Sequence, residues 1–241
     1  MVLVAEHLSG GWDCLGWSPR LHRGSQKSSN LLSSTKFNAD VVQLEEYMLA
    51  KHEVVGSNPI IRSRILIMNP IVIDQLVPKS YQEELSSVIG GVYFPWYWAP
   101  IQNGMPGDPI VAYDYQMVHS FVAQGKANSD YVGLISPVLY FLEEKTGIVA
   151  KGIVRARANL LTSARLTDEE LDHFYHIDDT DPNLISMLYY VEDSDGDTVI
   201  GDLRVNPKAG RAVVFNSNTK HRPSYPSVHK RRIVINFILE V

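Results

Sequence analysis

The hydrophobic and polar positions of this chain follow different patterns before and after residue 67. Before it, no strand-like alternation occurs, and a serine-rich stretch at residues 25–35 is followed by one short helical pattern at residues 39–51. After it, apolar residues recur at helix or strand spacing as far as the C-terminus. The pattern therefore predicts a poorly structured extension over residues 1–67 and a folded domain over residues 68–241.

Two explanations for the extension stay open. Residues 56–59, Gly-Ser-Asn-Pro, resemble the translation of the T-arm of a transfer-RNA gene. Such peptides arise where a reading frame is assigned too far upstream, and Met68 would then be the better start. The alternative is a real, flexible N-terminal extension.

The first part of the predicted domain is mostly helical. After a short apolar strand at residues 71–73, the spacing of apolar residues predicts a helix that ends at Gly90. A second helix is predicted to begin at Pro137 and to end at Gly147, because proline favours the first turn and glycine the position after the last.

The second part of the predicted domain alternates with the period of two that is typical of strands. Strands are predicted at residues 153–161, 185–191, 198–205, 211–216 and 232–241. Asp195-Gly196 predicts a hairpin turn. Helices first and short strands afterwards indicate an α+β, mainly β, fold: a double-stranded β-helix (jelly roll) core flanked by N-terminal helices.

Composition and charge exclude several classes of protein. The 241 residues can bury a core without disulfides, and a single cysteine, Cys14, excludes a disulfide framework or a thiolate zinc site. A net charge of -5 disfavours a broad grip on nucleic acid or anionic lipid. No apolar run reaches the ~18 residues of a membrane helix, and no secretory signal pattern occurs. We therefore expect a cytosolic protein, of a cell or of a virus inside one.

Three residues have the chemistry of a metal site. His176 and Asp178 are two positions apart, so on an extended chain both side chains reach the same side. With His221, they form the two-histidine, one-carboxylate set that suits Fe(II) and leaves coordination positions open. Asp179 and His173 are rival ligands. Asp179 is disfavoured because adjacent side chains diverge on a strand, and His173 because its helix should end before the site.

The last predicted strand carries an arginine that needs a partner. Apolar residues occupy one face of this strand, while Arg232, Val234 and Asn236 occupy the other face, which we expect to point into the barrel. A buried arginine requires an anion, and a bound carboxylate would supply it. Arg231 competes for this role. The alternation favours Arg232, although a β-bulge would reverse the choice.

These residues together resemble the iron(II)/2-oxoglutarate-dependent dioxygenases. The likeness is to their prolyl-hydroxylase-like branch, including small phage-encoded members. It rests on the order His176-x-Asp178, distal His221, and then Arg232 on the final strand, eleven residues after that histidine. The resemblance covers residues 68–241 and is strongest in the closing segment.

The resemblance implies a cofactor and a cosubstrate. Fe(II) would be bound by the triad, and 2-oxoglutarate and O2 would be consumed, with succinate and CO2 as co-products. Arg232 would bind the C5 carboxylate of 2-oxoglutarate, and Tyr190 would donate a hydrogen bond to it. Asn159 would face the cosubstrate, whereas Leu161 stands where some relatives have a tyrosine. A core role for Tyr190 and a structural role for Asn159 stay open.

The implied activity is hydroxylation of an unidentified substrate, and a protein or peptide side chain is expected ahead of a small molecule. Two alternatives stay open: a non-catalytic jelly-roll binding module, and a nucleobase- or nucleotide-modifying dioxygenase. The acidic charge balance weighs against a nucleic-acid polymer as substrate. Specificity is expected in loops at the barrel mouth, at residues 96–134 and 178–184.

Overall fold

The computed structural model describes residues 67, 69–100, 115–163 and 175–241. The predictions for the N-terminal extension, for a start at Met68 and for His173 as a ligand lie outside the described residues. The helices are α1 (Lys79–Ile89), α2 (Val132–Ile135) and α3 (Val138–Thr146). The strands are β1 (Ile71–Ile73), β2 (Tyr97–Pro100), β3 (Tyr115–Ala123), β4 (Lys126–Ala127), β5 (Gly152–Thr162), β6 (Leu184–Tyr190), β7 (Thr198–Ile200), β8 (Leu203–Val205), β9 (Ala212–Asn216), β10 (His221–Pro223) and β11 (Arg231–Glu240).

These strands form two antiparallel sheets. The larger has the order β1-β9-β6-β11-β5-β3-β2, with β4 paired to β3, and the smaller has the order β10-β7-β8. The chain passes from the larger sheet to the smaller after β6 and again after β9. The prediction of a mainly β jelly-roll core with flanking helices is confirmed. In the described part of the chain, no helix has both the length and the apolar character to cross a membrane.

The larger sheet has two differently packed faces, and β11 shows why. Its odd-numbered apolar residues, from Ile233 to Leu239, belong to the same core as Leu85 of α1 and Leu142 of α3. Val234, on the opposite face, packs with residues of both sheets. A strand turns successive side chains to opposite faces, so the alternation in the sequence determines which residues face the helices.

The predicted hairpin at Asp195-Gly196 is wrong. The strands before and after it, β6 and β7, belong to different sheets. The Asp195 carboxylate instead accepts hydrogen bonds from the backbone N–H groups of Ser227, Val228 and His229, at 2.8, 2.8 and 2.9 Å. Asp195 therefore does not form a hairpin turn, and its carboxylate instead holds the backbone of the loop that precedes β11.

The true hairpin lies a few residues later. Ile200 pairs with Leu203, so Gly201 and Asp202 form the turn between β7 and β8. Gly201 has a φ of 57°, in the left-handed region that favours glycine. The predicted single strand at residues 198–205 is therefore two paired strands.

The predicted loop at residues 96–134 contains regular structure. It includes β2 and β3, which extend the larger sheet beyond β5. Polar residues of β3 interrupt its apolar pattern, which hid the strand from the sequence analysis. One of them, His119, is buried.

His119 connects β3 to two neighbouring loops. Its Nδ1 donates to the Pro95 carbonyl at 2.8 Å, so its Nε2 accepts from the Ser129 hydroxyl at 2.7 Å. The rings of Phe94 and Phe121 lie 4.5 and 4.8 Å from the imidazole, between centroids. Burial lowers the pKa of His119, although the hydrogen bond to Pro95 opposes this effect.

We expect the metal-free protein to lose stability in mild acid through His119. The pKa of His119 is lower in the fold than its ordinary value of 6.5, so the unfolded chain takes up a proton first as the pH falls. This contribution to stability is complete above about pH 6.5 and declines below it. Thermal unfolding between pH 7.5 and 5.0 should show a smaller loss of Tm for His119→Gln than for wild type. His229→Gln, which changes an exposed histidine, is the control; equal losses in wild type and His119→Gln would contradict the prediction.

Candidate metal centre and its cavity

The backbone brings the two predicted histidine ligands together. His176 and His221 form an isolated antiparallel bridge, with reciprocal N–H to carbonyl hydrogen bonds of 2.9 Å each. Two residues further on, the Asp178 N–H donates to the Ser217 carbonyl at 2.9 Å. A strand-like pairing thus places residues that are distant in the sequence around one point.

The side chains of these residues have the geometry of a metal centre. One ligand atom from each of His176, Asp178 and His221 lies within 4.8 Å of the others. His221 Nε2 lies 3.6 Å from Asp178 Oδ2. His221 Nδ1 donates to the Thr219 carbonyl at 3.0 Å, so in the neutral imidazole Nε2 is the nitrogen without a proton and is available to a metal. The structure therefore brings the three predicted ligands together.

The carboxylate of Asp178 is held by three donors. Oδ1 accepts from Arg155 Nη2 at 2.8 Å and from Asn236 Nδ2 at 2.9 Å, and Oδ2 accepts from Ser186 Oγ at 2.6 Å. Burial alone would raise the pKa of Asp178, but His221, Arg155 and the Ser186 hydrogen bond outweigh it and the pKa is lowered. The carboxylate is thus charged and oriented at neutral pH. The neighbouring Asp179 instead accepts from the backbone N–H of Asp181, at 2.9 Å.

Arg232 is buried in the same cavity. It is 4 % exposed, and its Nε and Nη2 donate to the Gly196 carbonyl and to Thr198 Oγ1 at 2.6 and 2.7 Å. Among the described residues no carboxylate forms an ion pair with it. Burial lowers the pKa of Arg232, against the opposing influence of Tyr190 and Asp197. A buried cation of this kind requires an anionic ligand.

Arg231 has a different role. Its Nε donates to Glu192 Oε2 at 2.8 Å and its Nη1 donates to the Gly90 carbonyl at 2.9 Å, which ties β11 to the end of α1. Arg232 lines the cavity, and Arg231 is not among the described residues that line it. The strand parity therefore turned Arg232 inward as expected.

Gly196 permits Arg232 to lie where it does. A Cβ atom at Gly196 would lie 2.9 Å from Arg232 Cδ and 2.6 Å from the Ser224 carbonyl oxygen, closer than such atoms approach in proteins. The glycine that suggested a hairpin is instead a point of close backbone approach.

The other two predicted cosubstrate residues occupy different positions. Asn159 lines the cavity, and its Oδ1 is buried without a hydrogen-bond partner in the described part of the chain. The Tyr190 hydroxyl donates to Thr198 Oγ1 at 2.8 Å. Of these two residues it is Thr198 that lines the cavity, and Tyr190 lies behind it. Tyr190 contacts Arg232 in two ways: through the shared Thr198 hydroxyl, and directly, since Arg232 Cζ lies 5.8 Å from the centre of the Tyr190 ring.

The three triad residues, Arg232 and Asn159 all line one cavity of about 170 Å³. Its lining also includes Arg155, Arg157 and Asn236, to which the sequence analysis gave no role. A signal for the two arginines was present: in the segment Arg-Ala-Arg-Ala-Asn, the period of two places both on the face of Asn159. Asn236 was placed on the inward face of β11, and Ser186 is the one polar residue of β6 before its tyrosines.

The fold and the site together define a jelly-roll protein with a candidate metal centre of two histidines and one aspartate, beside a buried arginine. No protein-family profile matches the chain, and no curated protein matches it. Solved structures do resemble it. One is a prolyl hydroxylase from Trichoplax adhaerens in complex with a hypoxia inducible factor peptide: 13% identity, TM-score 0.49, covering 71% of this chain and 83% of that chain.

Two further solved structures belong to the same class. A 2OG-Fe(II) oxygenase family oxidoreductase from Burkholderia pseudomallei has 12% identity and a TM-score of 0.49, covering 71% of this chain and 85% of that one. A viral collagen prolyl hydroxylase from Paramecium Bursaria Chlorella virus-1 has 14% identity and a TM-score of 0.41, with coverages of 71% and 90%. The names of these three structures are those of the class that the sequence resembles.

The residues of this chain fit Fe(II) and 2-oxoglutarate on their own geometry. Two imidazoles and a charged carboxylate suit Fe(II) and leave positions open on it. The Arg232 guanidinium, in the same cavity, matches one carboxylate of a dicarboxylic acid in a forked, charge-assisted pair.

Proposed function

We propose that this chain is an Fe(II)/2-oxoglutarate-dependent dioxygenase that hydroxylates a protein or peptide side chain and releases succinate and CO2. One observation carries the proposal. A single cavity contains three metal-ligating atoms within 4.8 Å of one another and the buried guanidinium of Arg232. A binding module that had lost turnover would have no need to keep both the metal ligands and the buried cation.

The chain's own groups would prepare the metal position. His176, Asp178 and His221 would hold Fe(II), which together with 2-oxoglutarate and O2 supplies the oxidising chemistry that hydroxylates a carbon centre. The Thr219 carbonyl keeps the proton of His221 on Nδ1. The donors around Asp178 keep its carboxylate charged and prevent its rotation.

A second group of residues would orient the cosubstrate. Arg232 would bind the carboxylate distant from the metal, with its Nε and Nη2 anchored on Gly196 and Thr198 so that the guanidinium cannot swing away. Tyr190 would act on this carboxylate through Thr198, and Asn159 would face the cosubstrate. Leu188 and Val234, which also line the cavity, would exclude water from the reacting atoms.

The substrate and the domain limits belong to the same proposal. A peptide or a small molecule fits the supported class of partner, and residues 68–241 would form the catalytic domain. The observations favour no nucleotide substrate, because none of the cavity-lining residues described is an aromatic side chain on which a base could stack, other than the metal-ligating histidines.

The proposal predicts that 2-oxoglutarate binds only with a metal present. Anaerobic calorimetry on the full chain should show at least ~10-fold tighter 2-oxoglutarate binding with Fe(II) than with EDTA, because one end of the ligand binds the metal. In air, the Fe(II)-loaded protein should form succinate slowly even without substrate. A folded sample whose 2-oxoglutarate affinity does not respond to the metal would refute the proposal and favour the binding module.

A further inference from the structure

Arg157, on β5, is an arginine of the cavity for which the described structure shows neither a hydrogen bond nor an ion pair. It lines the cavity beside the triad, and its Nε is fully buried without a hydrogen bond in the described structure. Across the described ranges, no carboxylate forms an ion pair with it. Burial lowers the pKa of Arg157, and the neighbouring charge of Arg155 lowers it further, while Asp178 opposes both.

The other two cavity arginines already have defined roles. Arg155 donates to the metal-ligating Asp178, and Arg232 is anchored on Gly196 and Thr198 at the cosubstrate position. Arg157 is thus the one described arginine of this cavity that has neither an ion pair or hydrogen bond within the protein nor a place at the proposed cosubstrate carboxylate; the nearest carboxylate that acts on it, Asp178, is already bound by Arg155. Arg157 is half-buried and its Nε is buried at the cavity wall without an acceptor, so an anion bound in the cavity would be favoured at this position.

The register of the sheet places Arg157 at the level of the metal centre. Arg157 pairs with Asn236 of β11, whose Nδ2 donates to Asp178. Since a carboxylate only accepts, the Asn236 amide must keep this orientation, and its Oδ1 is left buried without a donor. Arg232, four residues before Asn236 on the same strand, lies roughly 13 Å away along it. The anion site at Arg157 is therefore distinct from the one at Arg232.

We propose that Arg157 binds a carboxylate, or another compact anionic group, of the primary substrate, and that Asn236 Oδ1 accepts a hydrogen bond from a neighbouring N–H of that substrate. This inference rests on the proposed function and narrows it. The target in a protein or peptide is then an acidic side chain or a residue next to a terminal carboxylate. An internal prolyl residue places only a neutral ring and amide at the metal and would leave Arg157 without a counter-charge.

One other source could supply the same chemistry. The carboxylate of 2-oxoglutarate nearer the metal is also an anion at this level of the sheet. The two sources differ in one measurable respect: 2-oxoglutarate would compete with a separate anion at Arg157, whereas a primary substrate would bind alongside it.

Inorganic sulfate is a suitable probe. The full chain is loaded with Mn(II) and saturating 2-oxoglutarate without oxygen, so that Arg232 is occupied, and is titrated with sulfate in a calorimeter. Wild type should bind sulfate, and Arg157→Gln should bind it at least ~10-fold more weakly. Arg204→Gln, which changes an arginine outside the cavity lining, should keep the wild-type sulfate affinity. Sulfate binding that is equal in wild type and Arg157→Gln, or that is absent once 2-oxoglutarate is bound, would overturn the inference.

A titration with 2-oxoglutarate separates the two sources. If the anion belongs to the primary substrate, Mn(II)-loaded Arg157→Gln should bind 2-oxoglutarate within about threefold of wild type. A loss of tenfold or more would assign Arg157 to the cosubstrate and overturn the inference (~1.4 kcal/mol per tenfold). Arg157→Gln removes a half-buried charge that has no ion pair in the described structure, so its metal-free Tm should equal or exceed that of wild type, which controls for folding.

Failure of the proposed function gives a different result. Wild type would then not bind 2-oxoglutarate in a metal-dependent way. Sulfate titration of the metal-free Arg232→Gln variant, with and without Arg157→Gln, would still decide the anion site at Arg157: a difference between the two supports it, and no difference overturns it.

Discussion

Asp178→Ala should abolish metal-dependent 2-oxoglutarate binding and succinate formation. The variant loses the one anionic ligand of the triad, whose Oδ2 lies 3.6 Å from His221 Nε2. It also removes the carboxylate that pairs with Arg155. The positive charge of Arg155 is then unpaired beside the two histidines, and it would repel a metal cation. We expect a fall of at least ~100-fold in Mn(II) affinity, measured by anaerobic calorimetry, since changes even outside the ligand set cost up to that much.

Asp179→Ala is the matched control for this variant. Asp179 is the adjacent residue with the same side chain, but its carboxylate caps the Asp181 N–H and is not part of the triad. It should keep wild-type metal affinity and 2-oxoglutarate binding. Circular dichroism would show that both variants are folded. Wild-type Mn(II) affinity in folded Asp178→Ala would show that the triad is not the metal site.

Arg232→Lys should weaken 2-oxoglutarate binding by roughly 10- to 100-fold while Mn(II) affinity stays within about threefold of wild type. Lysine keeps the charge but loses the planar fork. It cannot donate at once to the Gly196 carbonyl, to Thr198 and to two oxygens of a carboxylate. Equilibrium binding of 2-oxoglutarate to the Mn(II)-loaded protein measures the effect directly.

The neighbouring arginine provides the comparison. Arg231→Lys makes the same chemical change one residue away, on the face that ties β11 to Glu192 and Gly90. It should lower Tm without changing 2-oxoglutarate affinity. If instead Arg231→Lys weakened 2-oxoglutarate binding and Arg232→Lys did not, Arg231 and not Arg232 would be the cosubstrate-binding arginine.

The sequence predicted the site better than it predicted the turns. The order of His176, Asp178, His221 and Arg232, together with the alternation of the last strand, indicates the candidate centre from the sequence. The turn at Asp195-Gly196 was misplaced for a physical reason. The same residue pair suits a hairpin and also suits a carboxylate that caps a distant loop, and only the loop at 227–229 distinguishes the two.

The polar residues around the site could not be assigned in the same way. Arg155, Arg157 and Asn236 lie on strands whose alternation shows that they share an inward face. Alternation does not show which of them a neighbouring strand would pair with Asp178. That depends on the register of β5 against β11, which is determined by contacts over the whole strand length.

The sequence by itself therefore determined the class of fold, the residue types of the candidate metal site and the inward face of the last strand. Each of these follows from local spacing: a period of two along a strand, and a histidine and an aspartate separated by one residue. The tertiary structure alone decided which groups complete the site. It placed Thr198 in hydrogen-bond contact with both Tyr190 and Arg232, paired Arg155 with Asp178, and left the Nε of Arg157 buried without a partner in the described structure. These are long-range pairings, and no local pattern encodes them.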